Sequence, residues 1–153
     1  MAIYHLSVKT ISRSAGRSAT SAAAYRSGEK IVDARTGEIH DYTRKGGVIL
    51  TTIVAPLAAP KWATNRTELW NQAEASEKRK NSTVAREFEV ALPAQLTAIE
   101  RKRLAINFAS VLVNRHGFVA DVSIHAPSKD GDNRNHHAHI LVTTRRITAD
   151  GFG

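Results

Sequence analysis

His125, His137 and His139 are spaced so that three imidazoles can meet on one side of a β-hairpin. In the segment FVADVSIH, residues 118–125, the two-residue period of a strand puts Phe118, Ala120, Val122 and Ile124 on one face and turns Asp121, Ser123 and His125 to the other. In HAHILVTT, residues 137–144, Ala138, Ile140 and Val142 form the apolar face, so His137 and His139 point together away from it. Antiparallel pairing sets the end of the first segment beside the start of the second, which gathers all three rings. The chain has no cysteine, so a metal site must be built from His, Asp or Glu. Three neutral imidazoles leave a divalent ion its full charge and open positions with which to polarise a phosphate oxygen. His136 falls on the core-facing register at the mouth of the strand, a place for packing or solvent.

A phenol can attack phosphorus once positive charge or a base activates it. Of the three tyrosines, Tyr4 falls on the apolar face of an expected first strand and Tyr42 in a small hairpin, while Tyr25 stands on a short helix amid Arg13, Arg17, Arg26 and Lys30. A tyrosine on a helix serves packing equally well, and the residues alone leave both roles open. In AREFEVALP, Phe88, Val90 and Leu92 face one way and Glu87 and Glu89 the other. If this strand joins the same sheet, one of the two can orient a metal-bound histidine or accept the tyrosine proton; otherwise both are solvated surface carboxylates. Asp121, on the polar face with His125, is a weaker candidate for the same supporting role.

The elements that must position these groups are legible from pattern. Residues 2–9 alternate as a strand with Tyr4, Leu6 and Val8 on the apolar face. Ser18 or Thr20 can cap an alanine-rich helix that carries Tyr25 and stops at Gly28. Residues 30–43 predict a hairpin turning at Thr36-Gly37, and 47–54 a mostly apolar strand ended by prolines. An amphipathic helix is expected over about 65–80, with Lys78-Arg79-Lys80 at its negative pole. Thr97 and Glu100 have capping-box spacing, and Leu104, Phe108, Val111 and Leu112 mark the buried stripe of a helix over 97–116. The order predicts an α+β fold, a mainly antiparallel sheet of about five strands with helices packed on one face and the active site on the other.

The 153 residues suit one domain, 1–153. No apolar run approaches the length of a membrane span and the N-terminus does not read as a signal peptide, so a cytoplasmic protein is expected. A net charge of +8 favours a polyanionic partner. Lys9, Arg13, Arg17, Arg26, Arg145 and Arg146 are the candidate phosphate contacts, and an aromatic content of 6% argues against extensive base stacking.

Taken together, MAIYHLSVKTISRSAGRSATSAAAYRSGEK, REFEVALP and IHAPSKDGDNRNHHAHILVTTR resemble the three motif regions of the MobA/MobL-type relaxases of mobilisable and conjugative plasmids, part of the HUH endonuclease superfamily. The resemblance runs from Met1 to about Arg145. It implies an enzyme, a DNA relaxase in which Tyr25 attacks a phosphate at an origin of transfer, stays linked to the 5′ phosphate and leaves a free 3′ hydroxyl. It maps the family's metal-binding triad, which holds Mg²⁺ or Mn²⁺, onto His125, His137 and His139, although an all-imidazole site also suits Zn²⁺ or Ni²⁺ in vitro. Glu87 and Glu89 match the acidic strand motif, with Glu87 favoured to assist catalysis. His136 stands where relatives often have proline. The resemblance further implies single-stranded origin DNA with an adjacent hairpin as substrate, accessory relaxosome proteins and a type IV secretion coupling protein as partners, a bacterial cytoplasmic location with transfer alongside the DNA, and a catalytic N-terminal part of a longer protein. A replication-initiator nickase is the first alternative, against which the tyrosine's position upstream of the histidines argues. A metal-dependent nuclease that uses water, and a basic DNA-binding module without activity, are the others.

Overall fold

The structure, a computed structural model, describes residues 6–127 and 134–153. Ile3, Tyr4 and His5 of the expected first strand, and most of the loop before His136, lie outside the described residues. In chain order the elements are β1 (Leu6–Ser12), α1 (Ala19–Ser27), the hairpin β2 (Lys30–Val32) and β3 (Ile39–Asp41), β4 (Val48–Val54), α2 (Arg66–Ala75), β5 (Thr83–Leu92), α3 (Ala98–His116), β6 (Ala120–His125), β7 (His136–Val142), and a terminal hairpin, β8 (Ile147–Thr148) and β9 (Gly151–Phe152). Five strands form one antiparallel sheet in the order β1-β5-β7-β6-β4. The fold is α+β, as the alternating patterns predict. Among the described residues no helix is long and apolar enough to cross a membrane.

One face of the sheet is closed by α3, against which Val90, Leu92, Val122, Ile124, Ile140 and Val142 pack. The expected capping box is present, with Thr97 and Glu100 each accepting from the other's backbone N–H. The buried stripe differs from the expectation. Ala105, Ala109 and Val113 lie deepest, Leu104 and Phe108 flank them, and Val111 is 60% exposed. Small side chains let the helix axis approach the sheet closely, and the large residues then fill the two sides of the contact.

Helices lie on both faces, where the sequence predicts them on one, so the active-site face also carries helices. Helices α1 and α2 cover the end of the opposite face that holds Ala85, Val119 and Leu141. The alanines of α1, Ala19, Ala22, Ala23 and Ala24, are buried, and such a helix shows no conspicuous apolar stripe in sequence. Among the described residues, α1 and α2 leave the face less covered toward the other end, where β6 finishes and β7 begins.

Helix α2 is shorter than predicted, and Lys78-Arg79-Lys80 fall beyond its end. The reason is Arg13, whose guanidinium donates to the carbonyls of Glu74 at 3.1 Å, Glu77 at 2.7 Å and Arg79 at 3.0 Å. These carbonyls are drawn to a side chain from β1's end, so the turn after Ala75 departs from the helix. The first strand also differs in its packing, since Leu6 and Val8 sit on the sheet edge past the reach of α3 and are exposed.

The β2–β3 hairpin turns at Gly37, whose φ of 77° is left-handed. Buried Asp33 organises it, accepting from the Arg35 and Thr36 amides at 2.8 and 3.1 Å and from the Thr20 hydroxyl of α1 at 2.6 Å. Burial opposes its ionisation, but these donors and the Arg35 charge hold its pKa below 3.8. A carboxylate with a lowered folded pKa contributes stability that is complete above its unfolded pKa and is lost as pH falls toward the folded value. Asp33→Asn should therefore cost roughly 1–3 kcal/mol at pH 7, with the gap to wild type narrowing as pH falls below about 4. Urea unfolding at the two pH values measures this, and a gap independent of pH would show that the charge is not responsible.

Candidate active site

Strand register brings the three histidines together. His125 lies directly opposite His137, and Ser123 opposite His139, so the rings stack on one face with centroids 4.5–5.3 Å apart. One ligand atom from each lies within 4.8 Å of the others. His136 takes the opposite register, paired with Leu92 on the α3 side.

Each imidazole has one nitrogen tied to an acceptor, and an acceptor takes only a proton-bearing nitrogen, so the tautomers follow. His139 donates from Nδ1 to Glu87 Oε2 at 2.9 Å and His137 from Nδ1 to the Asn135 carbonyl at 3.2 Å, which leaves the lone pair on Nε2 in both. His125 donates from Nε2 to the Arg26 carbonyl at 2.7 Å. Burial, with the Lys45 ammonium nearby, pushes the His125 pKa down to about 4, so it is neutral at neutral pH.

Glu87 occupies the middle of the arrangement, 1% exposed on β5. Besides the His139 ring it accepts from Nε of Arg26. Burial alone would raise its pKa, but hydrogen bonds from His139 and Arg26, together with the Arg26 charge, lower it to about 2. Glu89 reaches only to 3.8 Å from His139 Nδ1, beyond hydrogen-bond range, and is partly solvated. A second group with metal-ligand spacing is formed by Glu87, Glu89 and His139, in which Oε2 of Glu87 is already engaged with Arg26 and His139.

Arg26 thereby joins α1 to the site twice, through its guanidinium to Glu87 and through its carbonyl to His125. Tyr25 is the preceding residue. The residue is 49% exposed, and its ring has Tyr42 edge-on at 5.2 Å and the Lys45 ammonium 3.5 Å above its centroid. Neither Tyr42 nor Lys45 stands out in the sequence, because the loop that carries them has no periodic pattern. From Tyr25 a cleft of about 640 Å³ runs between α1 and the β2–β3 hairpin, lined by Arg17, Ser21, Arg35 and His40 among others.

The remaining predicted residues divide. Lys9 is exposed on the edge strand directly opposite Glu87, hence on the histidine face, and Arg17 lines the cleft. Arg13 and Arg26 also border the cleft, but their guanidiniums are occupied by Glu74 and Glu87. Arg145 and Arg146 follow the far end of β7, Arg145 bound to Glu77 and Arg146 beside His116 and Phe118 on the α3 side, so neither joins the histidines. Asp121 also differs from the expectation of a histidine partner. Both of its oxygens are taken by Arg66 at 2.8 Å, and Trp70 Nε1 donates to it at 2.9 Å, so it docks α2 onto the sheet.

Comparison with known proteins gives the family and the fold. Residues 17–153 match the model of the MobA/MobL family. The chain is 46% identical to mobilization protein MobL of Acidithiobacillus ferridurans over 99% of its own length and 45% of that protein. It is 37% identical to the conjugal transfer protein TraA of Agrobacterium fabrum over its whole length and 14% of that protein. It thus spans less than half the length of these curated relatives. Among solved structures, one described as the molecular basis of vancomycin resistance transfer in Staphylococcus aureus superposes with a TM-score of 0.88 at 34% identity, covering 99% of this chain and 75% of that one.

The shared histidine face leads to a direct expectation. In calorimetric titration with Mn²⁺, His139→Ala should bind at least about tenfold more weakly than wild type, while His136→Ala, on the other face, should bind as wild type does. Equal affinity in all three proteins would remove the histidine cluster as the metal site.

Proposed function

The chain belongs to the MobA/MobL family, and from that premise we propose that it is a relaxase domain that nicks one strand of DNA at a plasmid origin of transfer by transesterification. The observation that carries this reading is the double junction between Arg26 and the histidine cluster, which sets the Tyr25 end of α1 beside three imidazoles able to hold a cation.

In the proposed reaction the Tyr25 phenolic oxygen forms a bond to phosphorus as the bond from phosphorus to the 3′ oxygen breaks. The phenol gives up its proton to solvent, the 3′ oxygen takes one from solvent and departs as a hydroxyl, and the 5′ phosphate remains on the tyrosine. One phosphoester replaces another, so the strand can be rejoined by the reverse step. His125, His137 and His139 suit a divalent ion, since one ring nitrogen of each lies within 4.8 Å of the others and a neutral imidazole has a lone pair to offer; His125 would bind through Nδ1, or through Nε2 on releasing the Arg26 carbonyl. Such an ion, Mg²⁺ or Mn²⁺ as in the family and Zn²⁺ or Ni²⁺ as imidazole ligands also permit, supplies Lewis-acid charge to a phosphate oxygen.

Glu87 serves this chemistry by orientation. With its pKa near 2 it is a poor proton acceptor at neutral pH, whereas its hydrogen bond fixes the His139 tautomer and ring. Lys9 and Arg17, exposed on the site face and in the adjoining cleft, suit the phosphates of a single strand. The reading also includes origin DNA with a neighbouring hairpin, accessory relaxosome proteins, a type IV secretion coupling protein, and action in the bacterial cytoplasm before transfer.

The test is covalent trapping. Protein and Mn²⁺ are incubated with single-stranded oligonucleotides tiling the intergenic DNA beside the gene, and products are resolved under denaturing conditions. Wild type should give a protein–DNA adduct and a free 3′ hydroxyl fragment, and Tyr25→Phe should give neither while binding Mn²⁺ normally. Nicking by Tyr25→Phe without an adduct would replace tyrosine attack with hydrolysis by water.

A further inference from the structure

A half-exposed tyrosine ring on a helix turns freely unless something holds it, and an attacking oxygen that wanders loses much of the benefit of proximity. Tyr25 is held. The last four carbonyls of a helix lack partners within it, and in α1 those of Tyr25 and Arg26 are taken by side chains from outside. His125 donates to the Arg26 carbonyl, and the Lys45 ammonium donates to the Tyr25 carbonyl at 2.8 Å. The same ammonium lies 3.5 Å from the centroid of the Tyr25 ring. One cation therefore grips the backbone and the ring face of a single residue, at the negative pole of the helix.

The loop that carries Lys45 is fastened to the end of α1 on its own account. The Tyr42 amide donates to the Glu29 carbonyl at 3.1 Å and the Lys45 amide to the Tyr42 carbonyl at 3.0 Å. Gly28, with φ of 69°, ends α1 in the left-handed conformation, and the Tyr42 and Lys45 carbonyls lie 3.8 and 3.9 Å from where its Cβ would stand. Tyr42 adds its ring edge-on to Tyr25, at an interplanar angle of 88°. The Tyr25 ring thus has a cation on its face and an aromatic partner beside it.

We propose that Lys45 is a positioning residue for the tyrosine nucleophile: by holding ring and carbonyl together it fixes the direction in which the phenolic oxygen is presented to phosphorus. This rests on the reading of Tyr25 as the nucleophile. The cation also adds to the positive charge of Arg26 where a phosphate would sit, but the effect assigned to Lys45 is exerted through Tyr25. It should appear in the rate of attack at saturating DNA more than in DNA binding.

Single-turnover adduct formation on the nickable oligonucleotide tests this with Lys45→Met, Lys45→Gln and Lys45→Arg, alongside wild type and Tyr25→Phe, with DNA affinity and thermal midpoint measured for each. Lys45→Met keeps the stem without charge, Lys45→Gln keeps a donor without charge, and Lys45→Arg keeps both. The expected result is a rate at saturating DNA lowered about tenfold or more in Met and Gln, equivalent to roughly 1.4 kcal/mol or more of barrier. Arg should recover most of it, and DNA affinity and thermal midpoint should stay close to wild type in all three. Wild-type rates in Met and Gln would overturn the proposal. A loss confined to DNA affinity would also overturn it, making Lys45 a phosphate contact, as would a loss tracking a lowered midpoint, making it structural. No Tyr25-dependent adduct in wild type would instead sink the nucleophile reading, and the role of Lys45 with it.

Discussion

A carboxylate buried between a sheet and a helix has to be met by donors, and at Glu87 those donors come from the two parts of the molecule that the chemistry needs side by side. A buried charge without partners costs several kcal/mol. Arg26 from α1 and His139 from β7 satisfy it together. Moving either away would leave an uncompensated charge in the interior, so the arrangement is narrow. The ion pair adds little to stability compared with apolar packing of the same volume. What it confers is location: α1 ends beside the histidines, and His139 carries its proton on the nitrogen that faces away from a ligand position.

The same device recurs across the helix-bearing part of this face. Buried Glu74 on α2 accepts from the Ala19 amide at 2.5 Å and from Arg13 at 2.6 Å, which fixes the start of α1 as Glu87 fixes its end. Asp121 holds Arg66 and Trp70 and so fixes α2. The alanines of α1 make this layout feasible, because a helix with such small side chains can lie close enough for short acidic groups of the sheet and of α2 to reach it. Apolar packing dominates on the α3 side, while on the site side charge pairing sets where each helix rests.

Much of this was legible in the residues. Period-two alternation in β5, β6 and β7 placed Glu87, Glu89, His125, His137 and His139 on one face, and the observed register agrees. Alternation reports on faces, and faces are local. It could not disclose that Asp121 serves Arg66, that Arg13 ends α2 from 61 residues away in sequence, or that Lys45 lies over Tyr25, since long cationic side chains find partners through the tertiary fold. The placement of α1 and α2 on the site face was hidden for a related reason. Reading a buried stripe from large apolar residues undervalues alanine, and the same bias rotated the expected contact face of α3.

The junction at Glu87 is most directly tested by ¹⁵N NMR of the histidine side chains in the metal-free protein near pH 7, followed by addition of a diamagnetic divalent ion such as Zn²⁺. The expected spectrum shows a proton held on His139 Nδ1, with the Nε2 resonance moving when the ion binds. A His139 protonated at Nε2 alone, or an Nε2 indifferent to the ion, would mean that Glu87 does not orient this ring.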